Sequence, residues 1–414
     1  MQVDFPALFR CFLRIGFLSF GGPAAQIALM HQELVDKRKW LNEDSFLRGL
    51  SFCMLLPGPE AMQLATYIGW RLKGTVGGLI AGLLFVLPGS LVISALLFFY
   101  VSYHDTSWAE GAFLGIKAAV VTIILKALIG LSRKALKGSV DILIAGMGFL
   151  ALFLFSLPFP IVILAAGSIG FFVRHTQTNY EQKPAVHIIP RIRVILSWAA
   201  LWLTPLILLS IVGIPFLAAI GWFFAKLAVV SFGGAYATLA YMSQTVVSQQ
   251  EWINQGQLLD ALGLAETTPG PLVLVTQFIA MLAGHIEGGW DSAFAAGLIA
   301  LWATFIPCFL WIFAAAPYVE TLTEHPRIGP ALQSISACIV GVIANLAMWF
   351  LISLIFRHVS TVNFGAILLL WPDMSSVDPI ALLLVSIAPM ILWAVKGSLW
   401  LFLPLMAIVS LLLQ

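Results

Sequence analysis

The tetrapeptide Ser-Phe-Gly-Gly occurs twice in this 414-residue chain, at Ser19-Phe20-Gly21-Gly22 and, 212 residues on, at Ser231-Phe232-Gly233-Gly234. The same spacing carries Arg14 to Lys226, Trp40-Leu41-Asn42 to Trp252-Ile253-Asn254, and Pro57-Gly58-Pro59 to Pro269-Gly270-Pro271. Four matches in one register define a duplicated unit. Hydrophobic residues make up 61% of the chain and charged residues 10%, against about 45–50% and about 25% in soluble domains. The unit is therefore solvated by lipid. A duplicated, glycine-broken, apolar unit is how transporters build a substrate site between two halves.

The chain reads as an all-α polytopic membrane protein: an N-terminal repeat over 1–173, a cytoplasmic linker with one connecting span over 174–213, and a C-terminal repeat over 214–414. Apolar runs predict spans near Thr75–Tyr103, Gly111–Leu131, Val140–Ser156, Phe159–Val173, Val194–Gly213, Ser292–Tyr318, Ala331–Phe356, Pro379–Val395 and Ser398–Leu413, with a shorter run at Phe364–Trp371. Pro88 and Pro307 fall mid-span, and Gly74, Gly78 and Gly82 form a small-residue ladder suited to close helix packing. The first apolar run lacks a small-residue cleavage site, so no cleaved leader is expected. Cys11, Cys53, Cys308 and Cys338 lie in apolar runs without metal-ligand or disulfide spacing.

Charge sets the orientation. Residues 1–207 hold 17 Lys/Arg and 10 Asp/Glu, whereas residues 208–414 hold 4 and 9. The basic residues gather at Lys37-Arg38-Lys39, Arg71/Lys73, Arg133/Lys134/Lys137 and the linker from Arg174 to Arg193, which the positive-inside rule places in the cytoplasm. The matching loops of the second half, Ser243–Gly256 and His285–Asp291, contain no Lys or Arg. Equivalent loops then lie on opposite sides of the membrane, and the repeats are inverted.

Each motif-bearing segment is interrupted after roughly half a membrane thickness, Phe5–Met30 by Gly21-Gly22-Pro23 and Phe46–Trp70 by Pro57-Gly58-Pro59. Basic clusters flank the second segment on both sides. Folding both segments back as half-membrane hairpins keeps every basic loop inside and leaves five crossings between the repeat starts, an odd number, as inversion requires. About ten spans plus hairpins result. Were all the motif segments to span, the total would be about thirteen.

Irregular backbone is tolerated in the hydrocarbon region only where it lines a cavity, and half-helix N-termini suit anions. Gly21, Gly22, Gly233 and Gly234 can supply such backbone, and Pro57, Gly58 and Gly270 such termini. Arg14 and Lys226 share one repeat position, and a cation there snorkels or faces a dianion between the halves. Lys117, inside the Gly111–Leu131 span, can line the path. Ser19, Ser231, Gln63, Thr267, Thr268 and Gln277 are neutral donors near the breaks, which otherwise satisfy local backbone. Glu60 and Glu266 are coupling candidates or structural ion-pair members; in a constant register Glu60 falls opposite Leu272 and Glu266 opposite Met54. No Walker-type loop or nucleotide-binding domain is present, and the basic run is an orientation signal, so neither ATP nor nucleic acid is an expected partner. No cofactor or metal spacing occurs among the histidines.

The stretches from Phe20 to Gly74 and from Lys226 to His285 resemble the bacterial chromate ion transporter family in its long form with two fused repeats, and the resemblance extends over essentially the whole chain. It implies export of chromate across the bacterial inner membrane, chromate resistance and a relation to sulfate transport, with the lipid bilayer and a second copy of the chain as further partners. A sulfate or other oxyanion carrier is the nearest rival, since both anions are tetrahedral dianions. A lipid-phosphate enzyme of the membrane is a rival of another class; it needs clustered carboxylates for a metal, and those here are isolated. If hairpins and inversion are right, cysteines placed by Ser45→Cys and Lys73→Cys are labelled by an impermeant thiol reagent from one side of the membrane. Those placed by Ser248→Cys and Glu287→Cys are labelled from the other.

Overall fold

The structure, a computed structural model, describes residues 3–20, 22–104, 106–173, 192–232, 235–318, 327–364 and 367–414. Its helices are α1 (Phe5–Leu18), α2 (Gly22–His31), α3 (Glu43–Leu55), α4 (Glu60–Tyr103), α5 (Ser107–Ala135), α6 (Ser139–Phe153), α7 (Phe159–Val173), α8 (Ile192–Val212), α9 (Pro215–Val230), α10 (Ala235–Met242), α11 (Gln255–Glu266), α12 (Val275–Ala315), α13 (Ile328–Ile355), α14 (Pro379–Ala394) and α15 (Leu399–Leu413). By length and composition α4, α5, α8, α12 and α13 can cross a membrane, and α6, α7, α9, α14 and α15 are shorter apolar helices. The expected spans are helical, with one exception. Of the run Phe364–Trp371, Phe364 ends β1 (Val359–Phe364) and Ile367–Trp371 lie in β2 (Ile367–Pro372), an antiparallel pair with Val359 opposite Pro372. Eight residues are too few for a helical crossing, and the backbone of Ile367–Trp371 pairs with the preceding strand instead.

Local structure repeats with the sequence. Asn42 caps α3 by accepting from the Ser45 N–H at 3.0 Å, and Asn254 caps α11 by accepting from Gln257 at 2.8 Å. Such caps satisfy N–H groups that a helix start leaves without partners. A π-helical turn precedes each, at Gln32–Lys37 and Ser243–Val247, and the left-handed residues Lys39 and Glu251 both have φ 52°. Helix α4 breaks at Lys73-Gly74 and α12 at Gly288-Gly289, with nearly identical dihedrals.

These breaks are 215 residues apart, not 212. A 3-10 turn at Leu272–Leu274 separates the second Pro-Gly-Pro from α12, whereas α4 begins at Glu60, directly after Pro59. Glu60 therefore corresponds to Val275, which corrects its pairing with Leu272. Gly74 is a turn residue with open space around it rather than a member of a packing ladder; Gly78 and Gly82 do pack, against Phe313 and Phe309.

Two compact units form. The first gathers Met1–Leu97, His175–Ala235 and Thr268–Gly329, and the second Phe98–Arg174, Tyr236–Thr267 and Pro330–Gln414. Each thus draws on both halves of the sequence.

In the first unit the chain folds back repeatedly. The Ser45 hydroxyl accepts from Arg71 at 3.2 Å, and Phe52 packs on Tyr67 with ring centroids 5.7 Å apart. Helix α3 and the first arm of α4 are therefore antiparallel, with their tip at Pro57-Gly58-Pro59. Arg14 lies 3.9 Å from Glu33, which folds α1 against the segment after α2 with the tip near Gly22-Pro23. The open ends of both hairpins lie together, because Lys73 sits over the Phe5 ring and His31 bonds Glu43 at 2.6 Å. Beyond Lys73-Gly74 the second arm of α4 turns back on the first, and α12 does the same after Gly289. The turns are tight: a Cβ on Gly69 would lie 2.3 Å from the Gly77 carbonyl oxygen, and one on Gly284 would lie 2.6 Å from that of Ser292. Helix α12 also packs on α8 and α9.

In the second unit α5 is central, packed against α11, α14 and α15, while α6 pairs with α7. Small residues bring the helices to backbone distance, as expected where lipid offers no hydrophobic drive. A Cβ on Gly341 would lie 2.0 Å from the Ala145 carbonyl oxygen, whereas Gly146, one residue further along α6, has nothing within 4 Å. Gly341→Leu should thus cost about 1–3 kcal/mol by overpacking and lower the unfolding midpoint in detergent. Gly146→Leu should leave it unchanged.

Candidate functional site

The broken segments of the two repeats meet inside the first unit. Helix α1 ends at Ser19 (φ −81°, ψ 74°) and α9 at Ser231 (φ −76°, ψ 68°), so each serine turns its carbonyl out of the helix. The two carbonyls are taken up reciprocally. The Gly270 N–H donates to the Ser19 carbonyl at 2.9 Å, and the Gly58 N–H donates to the Ser231 carbonyl at 2.8 Å. Each repeat's Pro-Gly-Pro tip thus seals the other repeat's serine break, an exchange that a local two-fold relation produces. Both glycines adopt the left-handed conformation, φ 117° at Gly58 and φ 87° at Gly270. A side chain at Gly58 would also meet Gln63 Nε2 at 2.9 Å and Cys308 Sγ at 3.1 Å.

Three buried glutamines surround these tips. Gln26 Nε2 donates to the Gly270 carbonyl at 2.6 Å, Gln63 Nε2 to Pro57 at 2.6 Å, and Gln277 Nε2 to the Ser90 carbonyl at 3.2 Å and the Ser94 hydroxyl at 2.9 Å. Because the amide nitrogens face carbonyls, their Oε1 atoms are left buried without a hydrogen-bond partner, an uncommon expense in a packed interior. The Ser19 and Ser231 hydroxyls donate back to the carbonyls of Ile15 and Leu227. In this conformation the tip N–H groups and both serine hydroxyls are therefore engaged by protein carbonyls.

The other candidates are distributed more widely. Arg14 is largely exposed and reaches toward Glu33, a nearly inaccessible carboxylate that Lys37 approaches to 2.9 Å and Arg38 to 3.6 Å. Lys226 is exposed on α9 between buried Ala225 and Leu227. Glu60 heads α4, half-buried, and Thr268 is buried in the first unit beside Pro269. Glu266 and Thr267 end α11 in the second unit, where Glu266 is buried and the Thr267 hydroxyl donates to the Leu264 carbonyl at 2.7 Å. Lys117 is in the second unit as well, 3.3 Å from Asp260. Gly21, Gly233 and Gly234 lie outside the described residues.

Gln26, Glu33 and Asp260 are buried polar positions that motif spacing missed. Asp260 carried a usable signal, an acid inside the apolar run Leu258-Leu259-Asp260-Ala261-Leu262. Gln26 carried none, since only the fold brings it to Gly270.

A lipid-solvated, predominantly helical chain of two repeats whose broken helices meet tip to tip is a polytopic helical transporter. The chromate transporter family model matches residues 6–171 and 218–412, one match per repeat, and the chain belongs to that family. It is 31% identical over 348 residues to a probable chromate transport protein of Synechococcus elongatus, covering 82% of each chain. To a chromate transport protein of Cupriavidus metallidurans it is 31% identical, over 81% of this chain and 79% of the other. An uncharacterized transporter of Bacillus subtilis is 33% identical over 178 residues, which is 90% of that protein but 41% of this one. No solved structure matches.

Gly58→Ala and Gly270→Ala each force a side chain into a left-handed tip and weaken one reciprocal bond. Each is expected to lower oxyanion flux in reconstituted vesicles at least about ten-fold, equivalent to about 1.4 kcal/mol, at unchanged membrane level. Gly146→Ala serves as the control and should leave flux intact.

Proposed function

We propose that this chain carries chromate out of the cytoplasm across the bacterial inner membrane by alternating access, and so confers chromate resistance. Membership in the chromate transporter family supports the substrate. The reciprocal Gly58–Ser231 and Gly270–Ser19 bonds support the mechanism. Two half-membrane tips whose glycine N–H groups are held by the serine-break carbonyls of the opposite repeat form a closed gate that an oxyanion can open by taking over the donors. A dianion accepts from backbone N–H groups more strongly than a neutral carbonyl does, and the freed carbonyls of Ser19 and Ser231 then rotate away. Such an exchange leaves either repeat free to rock while the other stays closed, which is the geometry alternating access needs.

The basic clusters around the first repeat support outward direction. Lys37, Arg38, Arg71 and Lys73 gather at the open ends of its hairpins, where a cytoplasmic dianion is concentrated before entry. The corresponding ends in the second repeat have no basic loop residue. Within the site we assign substrate contacts to the backbone of Gly22, Gly58 and Gly270, with Arg14 and Lys226 supplying positive charge at the two repeat-related approaches. Gln63 and Gln277 hold the tips in place.

Sulfate transport is the second reading, because the tips offer N–H groups to any tetrahedral dianion of similar size. Labelled chromate should accumulate in inverted membrane vesicles containing the chain, and excess sulfate should compete weakly. Absence of chromate flux would sink the chromate reading, and full competition by sulfate would favour the second. Lys226→Ala should abolish flux while leaving insertion intact.

A further inference from the structure

The second unit contains a cavity of about 420 Å³, within the ordinary range for small-ligand sites, lined by α4, α5, α11 and α15. Its chemistry is unlike that of the tips. Asp260, only 5% exposed, sits on its wall. One carboxylate oxygen accepts from the Tyr100 hydroxyl at 3.0 Å, and the other lies 3.3 Å from Lys117 Nζ, without a hydrogen bond. Tyr100 is held in place by its neighbours, stacked on His104 with centroids 4.9 Å apart and edge-on to Phe113 at 5.3 Å.

The first turn of α11 opens onto the same space. Asn254, Gly256 and Gln257 line it. The capping box of Asn254 and Gln257 satisfies those two residues' own N–H groups, leaving the N–H groups of Gln255 and Gly256 at the head of the helix. A lysine, amide side chains and a helix N-terminus form a donor set for an anion. The obstacle is Asp260. While charged, it neutralises Lys117 and repels any anion entering the cavity. Protonated, it leaves Lys117 without a counter-charge in a poorly solvated place, where a charge without a partner is costly.

We propose that this cavity is an oxyanion site that fills only when Asp260 takes up a proton and releases Lys117. Binding of a dianion and uptake of a proton from water are then one coupled event, and the carrier senses pH through α11. The titratable groups that face Asp260 across the cavity are Lys117 and Glu110 on α5, Tyr100 on α4 and His104 just beyond the end of α4, with the amide residue Gln414 on the wall beside α15. Glu110 disfavours the anion, so Lys117 carries the attraction. The repeat position of Asp260 in the first half is occupied by Arg48. The pair is thus without a counterpart at that position of the first repeat.

The inference rests on the oxyanion-carrier reading but places its site elsewhere. Sulfate, which does not itself titrate near neutral pH, is the probe. It would be titrated calorimetrically into the full chain in detergent, in buffers of different ionisation enthalpy. Wild type should take up close to one proton per sulfate bound. Asp260→Asn should bind sulfate with no proton uptake and with affinity independent of pH, and Lys117→Gln should lose affinity at least about ten-fold. Tyr100→Phe keeps the ring packing but removes a hydrogen bond that favours the charged carboxylate. It should move the pH midpoint of binding upward by about one unit, and it provides the readout if Asp260→Asn does not fold.

Proton uptake unchanged in Asp260→Asn, affinity unchanged in Lys117→Gln, or a midpoint unmoved in Tyr100→Phe would overturn the proposal. A parallel titration of Gly270→Ala separates the two sites. Proton-linked binding that persists there while flux is lost supports the cavity. Binding lost in Gly270→Ala but unaffected by Lys117→Gln would refute the cavity and leave the transport reading standing.

Discussion

A backbone group without a partner in a hydrocarbon environment costs several kcal/mol, and the rest of this structure follows from how its broken helices meet that constraint. At Ser19 and Ser231 the chain leaves the helix in the middle of an apolar segment, exposing carbonyls that no following helical turn satisfies. Within its own repeat the Ser19 carbonyl is reached by the Gln26 amide at 3.4 Å, too long a contact to close the break alone. Each carbonyl is instead taken by the Pro-Gly-Pro tip of the other repeat, through Gly270 and Gly58. The halves are therefore obligatory partners, and the first unit takes segments from both ends of the sequence.

The same constraint explains why polar side chains crowd the tips. Proline at positions 57, 59, 269 and 271 removes N–H groups that would need acceptors, while Gln26, Gln63 and Gln277 donate to carbonyls left over around the break. The amide oxygens that result are buried without hydrogen-bond partners, a cost set against the bonds their nitrogens make. A site that must open and close benefits from such a balance, because tips held by every possible bond would not yield to a substrate. The helices around it are joined differently. Glycine-to-carbonyl contacts such as Gly16 on Leu84 have no adjustable side chain between them, so the framework of this unit is stiff where the tips are not.

How much of this was legible beforehand depended on the range of the interaction. Duplication could be read from Ser-Phe-Gly-Gly and Pro-Gly-Pro because insertions are few, and the hairpins of the first half because Lys37-Arg38-Lys39 and Arg71/Lys73 flank one segment with like charge. The three-residue shift that moves the partner of Glu60 to Val275 was hidden, since a single 3-10 turn leaves no compositional trace. The β1–β2 pair was hidden too. Its apolar run resembles a short helix until its partner strand is known. Gln26 and Asp260 matter only through residues far away in the chain, and no local pattern announces such contacts.

The amino-acid sequence alone determined that the chain lives in lipid, that it is two copies of one unit, and that each copy is broken twice at matched places. Those properties are sums over composition, charge and spacing, and they need no knowledge of what touches what. Only the tertiary structure decided that the breaks satisfy one another crosswise, that Arg14 reaches toward Glu33, and that Lys117 meets Asp260 on a cavity wall. Pairings of that kind depend on where separate helices come to rest, and in a bilayer small residues and unsatisfied polar groups set that position rather than hydrophobic pattern.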